Sequence, residues 1–145
     1  MNEREETLRT DYNTRLEAQG IYPTPQRVAV ARVLLERYQH LTADEIYDRV
    51  RRSDNVSKAT IYNTLALFSR KGLIREIVAD PARIFYDSNT SPHHHFFNID
   101  TGTLSDIESE LHPAPAPESF PPGTELHSVD VVVRLRNTPA ATRAD

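Results

Sequence analysis

The sequence has no cysteine, no tryptophan and a single methionine among 145 residues, and only four glycines. Without thiols it forms no disulfide and no thiolate metal centre, so any bound metal must be held by imidazole and carboxylate. It also lacks any apolar run near the roughly 18 residues that a membrane span requires. The residues from Met1 to Arg9 are polar where a signal peptide would be apolar. These absences lead us to expect a cytoplasmic protein with no membrane partner. A strong excess of one charge is missing too: the net charge of −4 argues against a wholesale polyanion binder. The charge is uneven, however. Residues 21–75 carry ten Lys+Arg against five Asp+Glu, and residues 81–145 carry four against nine. A basic first half suits phosphates and an acidic second half suits a cation.

What is present in the first half is a series of well-marked helices. A charged stretch from Glu3 to Ala18 has Leu8, Tyr12 and Leu16 four residues apart and stops at Gly20, as an exposed helix with one apolar stripe should. Thr24 followed by Pro25 starts a second helix, with Val28, Ala31, Leu34 or Leu35, and Tyr38 on its buried face. Thr42-Ala43-Asp44-Glu45 is a capping box, with Leu41 placed to staple on Ile46, which predicts a third helix from about Ala43 to Arg52. Ser57 caps a fourth helix starting at Lys58, with Ile61, Leu65 and Phe68 buried and Gly72 as its stop.

After Gly72 the period shortens. Leu73 to Val78 and Arg83 to Tyr86 read as two strands of a hairpin around Ala79-Asp80-Pro81-Ala82. Three helices followed by a hairpin describe a winged helix-turn-helix, whose last helix enters the DNA major groove. That helix would present Lys58, Ala59, Thr60, Tyr62 and Asn63. Asparagine can bond adenine bidentately, an aromatic face or a threonine methyl can meet thymine, and lysine at a helix N-terminus suits phosphate. The plainer alternative is that Tyr62 covers a neighbouring helix and Asn63 is merely solvated.

Half of the six histidines stand together as His93-His94-His95. On a strand, alternation puts His93 and His95 on one face and His94 on the other. A solvated histidine tract is the bland alternative. Farther on, Phe96, Phe97 and Ile99, then Thr103 to Ile107, then Val129 to Leu135 read as strands, with Asp100-Thr101-Gly102 as a hairpin turn. The last of them should bury Val129, Val131, Val133 and Leu135. Pro113, Pro115, Pro117, Pro121 and Pro122 exclude a long helix between His112 and Gly123, leaving a loop or a single helical turn.

Four stretches together resemble the ferric uptake regulator family: Pro23-Thr24-Pro25-Gln26-Arg27, His40 to Tyr47, Ala59 to Leu65, and the histidine triplet followed by Asp100-Thr101-Gly102. Within that family the Tyr62-Asn63-Thr64 segment, the Ser91 to Phe97 stretch, the missing cysteines and the Val129 to Arg136 ending resemble iron response regulators. The resemblance implies an α+β chain. A winged-helix DNA-binding domain would occupy residues 1–86, a hinge 87–91, a small α/β dimerisation and effector-sensing domain 92–136, and a frayed tail 137–145. It implies a homodimer on palindromic double-stranded operator DNA, with Arg27, Lys58, Thr60, Tyr62 and Asn63 as DNA-facing residues and a sheet extended across the dimer.

The resemblance further implies a regulatory metal site of His40, Asp87, His93 and His95, with Asp106 as a further carboxylate. A second site would use His94 and His127 with Glu108 or Glu110, although Pro92 stands where many relatives have another histidine. Asn98 and Thr101 occupy the positions of a structural cysteine pair, so no structural cysteine-held zinc is expected. The implied function is a metal- or haem-responsive regulator of iron or haem homeostasis, with haem on His93, His94 and His95. The alternative is a peroxide-sensing or manganese- or zinc-responsive regulator. Mixed imidazole and carboxylate ligands suit Fe(II), Mn(II) or Zn(II) alike. A catalytic zinc site built from Asp87, His93 and His95 is the reading from a different class. It lacks a general base in any recognisable motif and leaves the helix trio without a purpose, so we expect no enzyme.

Overall fold

The computed structural model describes residues 3–111 and 113–139, with the side chains of residues 5–10 left aside. Two compact units divide the chain, the first ending at Thr90 and the second beginning at Ser91. Among the described residues no helix is long and apolar enough to cross a membrane.

The first unit begins with helices α1 (Glu3–Ala18) and α2 (Pro25–Leu35). Tyr12 and Leu16 of α1 are buried as the stripe predicts, while Leu8 lies outside the described side chains. Gly20, with φ of 73°, ends α1 in the left-handed region, and Ile21 N–H reaches back to Leu16 O at 3.0 Å. Helix α2 stops at Leu35, short of the expected extent, so Tyr38 falls beyond it and is 79% exposed rather than buried. Strand β1 (His40–Thr42) runs directly into α3 (Ala43–Val50), whose capping box forms as read: Thr42 Oγ1 accepts from Glu45 N–H, and Glu45 accepts from Thr42 N–H. Ser57 caps α4 (Lys58–Arg70) through Thr60 N–H at 3.1 Å.

Ile46, Val50, Ile61, Leu65, Phe68 and Leu34 meet with no exposed surface in one core. The hairpin is β2 (Arg75–Asp80) with β3 (Arg83–Asp87), tightened at its tip because Asp80 Oδ1 accepts from Ala82 N–H at 2.8 Å. β1 adds to its far side, giving a sheet ordered β1-β3-β2. This third strand was not foreseen.

The second unit is a sheet ordered β5-β4-β6, built from β4 (His94–Asn98), β5 (Leu104–Ile107) and β6 (Val132–Leu135). β4 and β5 are antiparallel and β6 runs parallel to β4. A single 3-10 turn at Pro117–Ser119 stands where the prolines exclude a longer helix. Two expectations fail. Ile99 lies outside β4 and is 55% exposed, and β6 is shorter than read, with Val129, Val131 and Val133 only partly buried and Leu135 42% exposed, so the anticipated apolar face is incompletely covered within one chain. Of the tail, residues 140–145 lie outside the described residues, as does His112.

Where cysteine might have stood, Asn98 ties the unit together. Its Oδ1 accepts from the N–H groups of Asp100 and Thr101 at 2.9 and 3.1 Å, and its Nδ2 donates to Asn137 Oδ1 at 2.8 Å. Asn137 N–H donates in turn to Asp100 Oδ2 at 2.8 Å. The clasp joins the β4–β5 turn to the segment leaving β6. Replacing Asn98→Ala removes three of these bonds, for a loss of about 1–3 kcal/mol. Native-state hydrogen exchange should show the Asn137, Asp100 and Thr101 amides speeding up while α4 amides stay protected.

Candidate functional site

Antiparallel pairing sets a histidine opposite an aspartate twice. In the first unit the β1–β3 register places His40 across from Asp87. Asp87 is 1% exposed; its Oδ1 accepts from Asn89 N–H at 2.8 Å, while its Oδ2 lies 4.0 Å from His40 Nε2. Next to them Ser88 locks the strand ends: its Oγ accepts from Gln39 N–H at 3.1 Å and donates to Arg37 O at 3.0 Å, and its N–H donates to Gln39 O at 3.2 Å. His40 is therefore a strand residue whose position is fixed from both sides.

In the second unit the β4–β5 register places His95 across from Asp106. His95 Nε2 is 3.4 Å from Asp106 Oδ1, and His93 Nε2 is 3.5 Å from the same oxygen. The His93 and His95 rings are 4.5 Å apart, centre to centre. These separations are long for charge-assisted hydrogen bonds, which run about 2.7–2.9 Å. They match the spacing of two ligands on one tetrahedral cation, roughly 3.4 Å for bonds of about 2.0–2.1 Å. His93 Nδ1 lies 2.6 Å from Ser91 O. A carbonyl only accepts, so that nitrogen carries the proton and Nε2 offers its lone pair toward Asp106, the arrangement common to metal-bound histidines.

His94 has the opposite tautomer. Its Nδ1 accepts from Val131 N–H at 3.2 Å, which places the proton of the neutral ring on Nε2. The expected second site is brought together only in part. Glu108 and Glu110 line one cleft with His94, while His127 is exposed and does not line it. Among the described residues no three ligand atoms around His94 lie close enough to share a metal ion. His94 also anchors the approach to β6, and the cleft, of about 490 Å³, is lined further by His93, Pro92, Leu111 and Leu126. Within the triplet, His93 and His95 turn ring nitrogens to Asp106 whereas His94 turns its Nδ1 to Val131, so the three rings do not converge on one point.

The nucleic-acid candidates lie along α4 and at the start of α2. Tyr62 is 50% exposed and Asn63 is exposed, both off the buried Ile61, Leu65 and Phe68 stripe. Thr60 is half-buried at the helix start, where its hydroxyl accepts from Ser57 Oγ at 3.0 Å and keeps its own O–H to donate. Arg27 donates from a guanidinium nitrogen to Tyr22 O at 2.9 Å. Lys58 is exposed but paired with Asp44. Sequence reading missed that partner and the strand carrying His40, because neither leaves a periodic signal. It also missed Tyr86, which lies across from Glu76 on β2. Burial, with the Glu76 charge and Tyr62 close by, raises the Tyr86 phenol from 10.0 to about 12.

A sequence profile of the Ferric uptake regulator family matches residues 18–133. A peroxide-responsive repressor, PerR, of Staphylococcus aureus is 38% identical over 90 residues, covering 61% of this chain and 61% of that protein. The chain thus spans about 61% of the length of the curated relatives it matches. Among solved structures, the ferric uptake regulator of Pseudomonas aeruginosa with manganese superposes with a TM-score of 0.65 at 24% identity, over 86% of this chain and 96% of that one. The ferric uptake regulator of Francisella tularensis with iron gives 0.65 at 18% identity over 81% and 92%. A zinc-bound manganese uptake regulator gives 0.60 at 22% identity over 88% and 98%. At these identities the likeness establishes the fold: a mixed α and β chain with an N-terminal winged-helix domain and a smaller C-terminal domain. The similar curated proteins include peroxide-responsive repressors of several Staphylococcus aureus strains, and these do not show the finer likeness to iron response regulators.

The raised phenol of Tyr86 fixes one pH dependence. The folded state favours the neutral ring, so its contribution to stability is complete below the unfolded value of 10.0 and is lost as pH rises toward about 12. Denaturant midpoints measured across that window should fall for the native chain and fall less for Tyr86→Phe.

Proposed function

Because the chain belongs to the ferric uptake regulator family, we propose that it is a dimeric, metal-responsive transcriptional regulator that binds operator DNA. The observation that supports this reading is the spacing of nitrogen and oxygen donors at the two histidine–aspartate pairs, together with the Ser91 carbonyl that holds His93 Nδ1 while Nε2 faces Asp106. We assign His40, Asp87, His93, His95 and Asp106 as ligands of one regulatory divalent cation. A cation drawing ligands from both units would link its occupancy to the disposition of the recognition helices, Tyr62 and Asn63 included. Arg27 and Lys58 would meet phosphate, and Thr60 would act mainly by shaping the helix start.

The donor set suits Fe(II), Mn(II) and Zn(II), and the similar structures hold manganese, iron and zinc. Control of iron homeostasis is the physiological role we infer from the sequence resemblance. Haem is the weaker effector here, since His94 faces Val131 and not its two neighbours. A second reading, peroxide sensing, is favoured by the peroxide-responsive relatives. In that case hydrogen peroxide should add oxygen to His40 or His93 when Fe(II) is supplied and not when Mn(II) is supplied, as read by peptide mass spectrometry.

The regulatory reading is tested by selecting bound duplexes from a random pool and measuring their affinity with Mn(II), Fe(II), Zn(II) or haem against chelator. One of the metals should change affinity by roughly 5- to 150-fold, the usual range of such coupling. His93→Ala and Asp106→Asn should each abolish that response, and His94→Ala should retain most of it. Indifference to every metal would remove the sensing claim.

A further inference from the structure

Helix α3 turns Asp44, Tyr47, Asp48 and Arg51 toward one side, three and four residues apart. Lys58, the first residue of α4, reaches back to that side. Its Nζ lies 3.4 Å from Asp44 Oδ1 and 5.8 Å from the centre of the Tyr47 ring. Arg51 approaches the same ring at 5.5 Å and pairs with Asp48 at 3.2 Å. Two cations and two carboxylates thus surround one aromatic ring and their charges sum to zero. The basic count of the first half overstates what is available to a polyanion.

Lys58 is also the cation that the start of α4 would offer to a DNA phosphate, beside the N–H groups of the helix end. Asp44 is not needed to cap α3, because Thr42 and Glu45 already form the box there. An exposed ion pair, 59% and 69% exposed at its two side chains, contributes little to stability. It does, however, place a negative charge where a phosphate would have to come.

We propose that Asp44 is a specificity-determining residue: it masks Lys58 from phosphate, so that DNA of arbitrary sequence is held through one fewer contact per subunit. A sequence that satisfies Tyr62 and Asn63 draws α4 close enough to pull the lysine away from Asp44. Generic affinity is kept low, and the difference between right and wrong sequence is widened. The inference rests on the DNA-binding reading given above.

Salt dependence tests it without knowledge of the operator. The full chain is titrated with a short random-sequence duplex across a range of salt concentrations, alongside a duplex selected from a random pool. Asp44→Asn should tighten random-duplex binding and steepen its log K against log salt slope by about 0.9 for each subunit bound. On the random duplex Lys58→Gln alone should leave that slope nearly unchanged and the double variant should return to the native slope. On the selected duplex, where the lysine meets phosphate, Lys58→Gln should flatten the slope by about 0.9 for each subunit bound. Asp44→Glu keeps the charge and should behave as the native chain, while thermal unfolding of each variant verifies the fold. An Asp44→Asn slope equal to the native one overturns the proposal, as does a Lys58→Gln slope on the random duplex flatter by about 0.9, which would mean the lysine already holds phosphate. If the native chain binds neither duplex at low salt, the DNA-binding reading fails instead and the inference falls with it.

Discussion

Strand register is the constraint on which the rest depends. Residues directly opposite in an antiparallel pair are the nearest cross-strand neighbours, and a slip of one residue turns every side chain to the other face. His40 faces Asp87, and His95 faces Asp106, only in the registers observed. Slipping β4 by one residue would set His94 opposite Asp106 and send His93 and His95 away from it. The geometry of both donor pairs is therefore a property of hydrogen-bonded ladders, and whatever holds the ladders holds the site.

Different devices do that in the two units. β1 has three residues, too few to fix its own register, and is held by what flanks it. The capping box begins α3 at its last residue, and Ser88 bonds the backbone of Arg37 and Gln39 at its other end. Leu41, between the two, is buried against the helical core. The second unit has a smaller core, with Phe97 and Leu104 as cross-strand partners beside the buried His95. There polar bonds carry more of the burden: the Asn98 clasp closes one end of the sheet. At the other end His94 takes the Val131 N–H while His95 N–H donates to Val131 O at 3.1 Å. A chain without cysteine thus fixes its last strand by side-chain amides and an imidazole.

Local signals in the sequence reported local structure faithfully. Thr24 with Pro25, the Thr42–Glu45 box and Ser57 located three helix starts to the residue, because capping chemistry is written within four positions. The proline run likewise reported its own consequence, a 3-10 turn in place of a helix. What depended on distant partners was illegible. Tyr38 fits the helical period of α2, yet the helix ends before it, and β1 is too short to show any alternation. The Val129 to Leu135 alternation foresaw a strand but not that one chain leaves its apolar face only partly buried. The site was partly legible. Alternation alone separated His94 from His93 and His95, whereas the roles of His40, Asp87 and Asp106 came from family resemblance. The tautomers that distinguish ligand from anchor needed Ser91 O and Val131 N–H in space.

The burial of Asp87 says what kind of partner that face accepts. Removing a carboxylate from water costs several kcal/mol unless charge and hydrogen bonds compensate. Asn89 N–H supplies one hydrogen bond to Asp87 Oδ1, and His40 Nε2 lies 4.0 Å from Oδ2. A divalent cation would offset the carboxylate charge directly and takes neutral imidazole as a ligand beside it. An ion bound only by the folded chain adds about 2.7 kcal/mol of stability at a hundred times its dissociation constant. If the proposed ligands hold such an ion, occupancy and the order of the strands that bear them become one equilibrium, so an effector could act on this fold without touching any residue of α4.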